Sequence, residues 1–142
     1  MRASIVPLVA GLVVVTLALA PGVASAQGEE AVARRAADTW LSLVDGANYS
    51  ASWETAAAAF KDAVSADQWA ASAGAARRPL GALRSREQRS ATAATSLPGA
   101  PDGQYLVFQF DTSFANKAQA VETVTFVREA DGIWRAVGYF VR

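Results

Sequence analysis

Residues 5–20 form an almost unbroken apolar run, preceded by Arg2 and followed by the small residues Val23-Ala24-Ser25-Ala26. A charged start, a short apolar stretch and an A-x-A end are the three parts of a secretory leader, so cleavage is expected after Ala26 with Gln27 as the first mature residue. A membrane anchor needs roughly 18 or more consecutive apolar residues. This run is shorter and contains Pro7. The expected division is a leader at 1–26 and one domain at 27–142, placed in the periplasm or secreted, with no stable membrane anchor.

Beyond the leader the apolar positions first recur at helical spacing. Val32, Ala36, Trp40, Leu43 and Val44 predict an amphipathic helix from Glu29 to about Asp45, with Glu29 and Glu30 in the first turn, where negative charge suits the helix dipole. Asp45-Gly46-Ala47-Asn48 reads as its end, the glycine supplying the left-handed residue. Trp53, Ala56 or Ala57, Phe60 and Val64 share a face of a second helix predicted from about Ser50 to Val64. Ser65-Ala66-Asp67-Gln68 has the form of a capping box opening a third, short helix, which carries Trp69, Ala73 and Ala76 inward and is closed by Pro79.

After Pro79 the period falls from about 3.6 to 2, and alanine gives way to β-branched and aromatic residues, the signature of strands. A polar first strand is expected over roughly Gly81–Ser96, followed by the turn-rich loop Leu97–Gly103. From Gln104 to Phe114, Leu106, Phe108, Phe110 and Phe114 take one side while Tyr105, Val107, Gln109 and Asp111 take the other. A turn at Asn116-Lys117 leads to a strand at Val121–Arg128, in which Glu122, Val124 and Phe126 alternate with valines and threonines. Asp131-Gly132 is a hairpin signal before a last strand at Ile133–Arg142. Simple alternation there puts Trp134, Ala136, Gly138 and Phe140 on one face. Helices first and strands second predict an α+β fold, with N-terminal helices packed on one face of a curved, roughly four-stranded antiparallel sheet.

Composition narrows the chemistry. Thirteen basic and thirteen acidic residues balance, which leaves no basic field for nucleic acid. The arginines at 77, 78, 84, 86 and 89 cluster locally, and a solvated strand face and turn accounts for them. Without cysteine, neither a disulfide nor a lipid-modified N-terminus is available, so the fold must hold by burial. Without histidine as well, Ser-His-Asp and Cys-His catalysis and zinc sites on imidazole or thiolate are excluded. No metal and no cofactor is expected.

Several landmarks recur together: Trp40-Leu41-Ser42-Leu43-Val44-Asp45, Tyr49-Ser50-Ala51-Ser52-Trp53, Phe60, Trp69, Pro79-Leu80-Gly81, Leu97–Gly103, Phe110–Lys117, Glu122-Thr123 and Gly132–Tyr139. In these the chain resembles a family of short exported bacterial proteins known as a domain of unknown function. The resemblance implies a Gram-negative envelope or secreted setting, and no activity or functional residues. The order of elements is also similar to the nuclear-transport-factor-2-like, or cystatin-like, cone, a fold that serves small-ligand pockets, a few enzymes and dimer contacts.

The residues left for a site are few. Asp111 and Glu122 are expected to face each other across the second hairpin, either as an acid–base pair or, beside Lys117, as surface ion pairs. Trp53 is placed where the helices meet the open end of the sheet, and Arg86, with Arg84, offers a guanidinium there for an anionic group. The candidate ligand-binding set is therefore Trp53, Arg86, Asp111 and Glu122, with no residue assigned to catalysis. The leading expectation is a non-enzymatic domain that binds a protein partner or small ligand through its sheet face or pocket mouth. The alternatives are a small cone-fold enzyme with a carboxylate base and a structural homodimer.

Overall fold

A computed structural model describes residues 21–142. The apolar run at 5–20 lies outside the described residues, so the expected leader is represented only by its last part, 21–26. Helix α1 spans Pro21–Asp45, α2 Tyr49–Glu54, α3 Ala58–Ala63 and α4 Ala66–Arg77, followed by a 3-10 turn at Arg78–Leu80. Four strands follow: β1 at Leu83–Ala94, β2 at Tyr105–Phe114, β3 at Lys117–Arg128 and β4 at Trp134–Val141. They form one open antiparallel sheet in the order β1-β2-β3-β4. The α+β arrangement expected from the sequence is therefore present. Among the described residues no helix is long and apolar enough to cross a membrane.

Three local departures from the expected pattern have physical causes. The left-handed residue that ends α1 is Ala47 (φ 57°), one position after the glycine; Asn48 N–H then reaches back to Leu43 O at 2.8 Å, closing the last turn. The single helix expected over Ser50–Val64 is two, because Ala57 is extended (ψ 151°) and its N–H donates to Ala136 O on β4 at 2.8 Å. That bond satisfies part of the free edge of β4 as well as breaking the helix. In β4 itself the pairs Thr125↔Gly138 and Phe126↔Ala136 leave Val137 as an extra residue. This bulge inverts the alternation. Trp134, Ala136 and Tyr139 face the helices, whereas Gly138 and Phe140 face away, correcting the common face expected for Trp134 and Phe140.

The helices cover one face of the sheet. Leu106, Phe108 and Phe110 of β2 and Val124 and Phe126 of β3 pack against Ala33, Ala37, Trp40, Leu41 and Val44 of α1 and Trp69 of α4. Trp40 lies 5.7 Å from Trp69 and from Tyr139, and edge-on to Phe126 at 6.5 Å. Both indole N–H groups end on one residue: Trp40 Nε1 donates to Ser52 O and Trp69 Nε1 to Ser52 Oγ, each at 2.9 Å. Ser52 is thus a fully buried serine that meets the hydrogen-bonding demand of two buried tryptophans. The expected capping box is present, with Ser65 Oγ accepting from Gln68 N–H and Gln68 Oε1 from Ser65 N–H.

Candidate functional site

At one end of this core the apolar packing gives way to an ionic cluster. Six elements contribute one side chain each: Asp45 from the end of α1, Arg77 from the end of α4, Arg86 from β1, Thr112 from β2, Glu122 from β3 and Tyr139 from β4. The strand pattern explains the convergence. Arg86 pairs with Thr112, and Phe110 with Glu122, so all lie on the helix-facing side. Thr112 is the one short polar side chain in the inward row Leu106, Phe108, Phe110, Thr112, Phe114, and it leaves room for Arg86 to reach over β2.

The guanidinium of Arg86 is forked between two carboxylates. Nη1 and Nη2 donate to Asp45 Oδ2 and Oδ1 at 2.8 and 2.9 Å, while Nε and Nη2 donate to Glu122 Oε1 and Oε2 at 2.7 and 3.1 Å. Glu122, which is 0% exposed, also accepts from Thr112 Oγ1 at 2.7 Å and from the Tyr139 hydroxyl. Arg77 Nη2 donates to Asp45 Oδ1 at 2.8 Å, Arg77 Nη1 lies 3.9 Å from Glu122 Oε2, and the Arg77 guanidinium stacks 4.8 Å above the Phe114 ring. Two carboxylates and two guanidiniums leave the cluster with no net charge.

The surroundings tune the groups accordingly. Burial pushes the Asp45 carboxyl up, but the bonds and charges of Arg86 and Arg77 outweigh it and hold the group below its usual 3.8. Burial also opposes the charge on Arg86, and the two carboxylates overcome that and hold it more firmly protonated than usual. Burial is the first cause that raises the Tyr139 phenol, and Glu122 adds to it. Asp45 and Arg86 are thus held in their charged forms and Tyr139 as a neutral phenol. Beside it lies a cleft of about 240 Å3 bordered by Asp45, Tyr49, Arg77, Arg78, Gly81 and Ala82, below the usual range of about 300–1,000 Å3 for small-molecule sites.

Of the four residues singled out from sequence, Arg86 and Glu122 are brought together and the other two are not. Arg86 is mostly buried and spends its donors on internal carboxylates rather than on a solvated strand face. Asp111 pairs with Val121, not with Glu122, and points to the opposite face of the sheet. A one-residue offset on a strand changes its face, so the expected Asp111–Glu122 pair does not exist. Asp111 instead meets Arg89 at 3.1 Å in an exposed ion pair. Trp53 is fixed by its Nε1 donating to Val64 O at 2.8 Å, with the Lys61 ammonium 6.0 Å from its ring. Asp45, Arg77, Thr112 and Tyr139 were not identified from sequence. Thr112 and Glu122 carried a signal: both interrupt otherwise apolar inward rows on neighbouring strands.

Among the described residues no helix lies against the second face of the sheet. Its middle is formed by Val107 and Gln109 of β2, Thr123 and Thr125 of β3, and Gly138 and Phe140 of β4. Phe140 is 53% exposed. Charge is confined to the margins, where Arg89 pairs with Asp111, Arg135 pairs with Glu129 and Asp131 at 2.9 Å each, and Glu87 stands exposed opposite Asp111.

Fold and site together define a small helix-on-sheet α+β domain with a filled core, an internally neutralised ionic cluster and one sheet face left uncovered by the described residues. Over residues 36–139 the chain matches the family described as "protein of unknown function (DUF4019)", and it belongs to that family. No curated protein and no solved structure matches it.

Proposed function

We propose that this protein is an exported, non-enzymatic binding domain of bacterial origin, built on a nuclear-transport-factor-2-like architecture, that engages a folded protein surface through the outer face of its sheet. The observation that carries the reading is the contrast between the two faces. The helix-facing side is filled by aromatics, and its polar end is occupied by a carboxylate–guanidinium cluster whose bonds are made within the chain. The outer side carries a half-exposed Phe140 in an uncharged middle with ion pairs at its edges, the anatomy of a protein interface.

An enzymatic reading has less support. A general base must reach a substrate proton, and Glu122 is fully enclosed by Arg86, Thr112 and Tyr139. Export to the periplasm or medium is supported by the leader pattern and by what cleavage leaves behind. A chain starting at Gln27 keeps Glu29, whose Oε2 accepts from Trp134 Nε1 at 3.0 Å, and places Glu29 and Glu30 in the new first turn of α1, where carboxylates oppose the dipole. N-terminal mass spectrometry of the exported protein should find Gln27; retention of residues 5–20 in a membrane fraction would contradict it.

The binding reading is tested by site-specific photo-crosslinking in the expressing cell. A photoreactive residue at Thr125, on the outer face, should give a discrete adduct, and one at Asp62, on the helical side, should not. Adducts from Asp62 alone, or from neither position, would reject the outer face as the docking surface.

A further inference from the structure

The outer face carries both halves of a contact two residues apart on one strand. Phe140 is a ring standing half out of the surface. At Gly138 a side chain would meet only Thr125, at an ordinary 3.8 Å, so that spot is open rather than sterically forbidden. Both point outward, because Gly138 pairs with Thr125 and Phe140 with Thr123 beyond the Val137 bulge. A projecting ring and a shallow recess on the same patch are what an isologous two-fold contact needs: each copy's ring fills the other's recess.

From this geometry we infer that the partner is a second copy of this chain, seated face to face across the sheet, an inference that rests on the outer-face binding reading above. Size agrees with it. Strands β2 and β3 run 10 and 12 residues. At about 3.3 Å per residue and about 4.8 Å between strands, the whole face, its charged margins included as the rim of the contact, presents roughly 600 Å2 in projection. Side-chain corrugation brings this toward the roughly 800 Å2 per partner of a standard interface.

Charge agrees as well. Without Arg2, the chain from Gln27 carries twelve basic and thirteen acidic residues, so two copies meet little long-range repulsion. At the margins Arg89, Asp111, Arg135, Glu129 and Asp131 are already paired within one copy, and Glu87, opposite Asp111 on β1, is exposed at the rim, where water can keep it solvated. The middle that would be desolvated, from Val107 and Gln109 to Gly138 and Phe140, holds no charge whose burial would cost free energy. Edge-to-edge pairing is the less suitable mode: β1 carries bulges at Arg84 and Arg89, and β4 is blocked at Ala136 by Ala57, both of which discourage strand addition.

The test is sedimentation velocity over a concentration series, with the protein purified from the expressing cell. The parent should sediment as a dimer at micromolar concentration. Phe140→Arg should be monomeric throughout that range, and Gly138→Leu, which fills the recess, should weaken dimerisation by about tenfold or more. Val32→Arg, on an exposed apolar residue of α1, should leave dimerisation unchanged, and circular dichroism should show all three variants folded. A parent that stays monomeric at several hundred micromolar, or a dimer indifferent to both sheet-face variants, overturns the inference. If that monomer still gives a Thr125 photo-adduct heavier than twice its own mass or with a different protein, the outer-face reading survives and only the second copy is wrong; if no adduct forms, both fall.

Discussion

Arg86 on β1 and Glu122 on β3 are not on neighbouring strands, yet they form a two-bond ion pair over the top of Thr112 on the strand between them, at 2.7 and 3.1 Å. Neither charge has an alternative in water, since Glu122 is fully buried and Arg86 nearly so. Removing the Glu122 charge leaves two guanidiniums, Arg86 and Arg77, sharing Asp45 alone, with one positive charge uncompensated. Glu122→Gln, which keeps the shape and loses the charge, should destabilise the protein by about 3–5 kcal/mol, and Thr112→Val, which keeps the volume and loses one donor, by about 1–3 kcal/mol. Urea denaturation of the two variants against the parent measures both.

The difference between Arg86 as read from sequence and Arg86 as folded shows where sequence legibility ends. Order, type and pairing of the elements were readable, because period 3.6 passes to period 2 at Pro79 and the turn residues separate the strands. Glu122, Val124 and Phe126 were placed on one face by the same alternation. What failed were events that alternation does not encode. The Val137 bulge moves Phe140 to the outer face, the Ala57–Ala136 hydrogen bond splits a helix, and the hairpin register sets Val121 rather than Glu122 opposite Asp111. Asp45 and Arg77 were unreadable as site residues because they join the cluster from the ends of two helices, and only tertiary packing brings those ends together.

Acid should unlock the cluster from the Asp45 side. The Asp45 carboxyl is held below 3.8 when folded, so the unfolded chain takes up this proton first as pH falls. Its contribution is complete above about pH 5 and is lost as pH drops below 4 toward the folded value. Tyr139 acts at the other limit: its phenol is raised when folded, so its contribution is present below about pH 10 and is lost as pH rises beyond that. Stability measured by urea midpoints should be level with respect to these two groups between those limits. Asp45→Asn should flatten the acid limb, and Tyr139→Phe the alkaline one.

The bulge in β4 makes a prediction about two aromatic residues six positions apart. Trp134 is 6% exposed, packs in the core and donates to Glu29 at 3.0 Å, so Trp134→Ala should cost about 3–5 kcal/mol. Phe140 lies on the uncovered face, and Phe140→Ala, measured at a concentration where the chain is monomeric, should change stability by less than about 0.5 kcal/mol. Comparable losses from both would place the two residues on one face and remove the bulge from the account.

Ala47 is a further local test. It holds φ 57° at the end of α1, a region that disfavours a β-carbon by about 1–2 kcal/mol. Ala47→Gly should therefore stabilise the protein by about 0.5–1 kcal/mol despite the greater freedom of glycine when unfolded, read as a higher urea midpoint at unchanged slope.

The account assigns binding to the outer face and architecture to the ionic cluster, and one comparison separates them. With a photoreactive residue at Val107, in the uncharged middle of the outer face, adduct yield should fall to background in Phe140→Arg. In Glu122→Gln it should be retained when assayed at a temperature where that variant remains folded. Retention in Phe140→Arg together with loss in folded Glu122→Gln would contradict the account, placing the binding site at Asp45, Arg77, Arg86 and Glu122 and leaving the sheet face without a role.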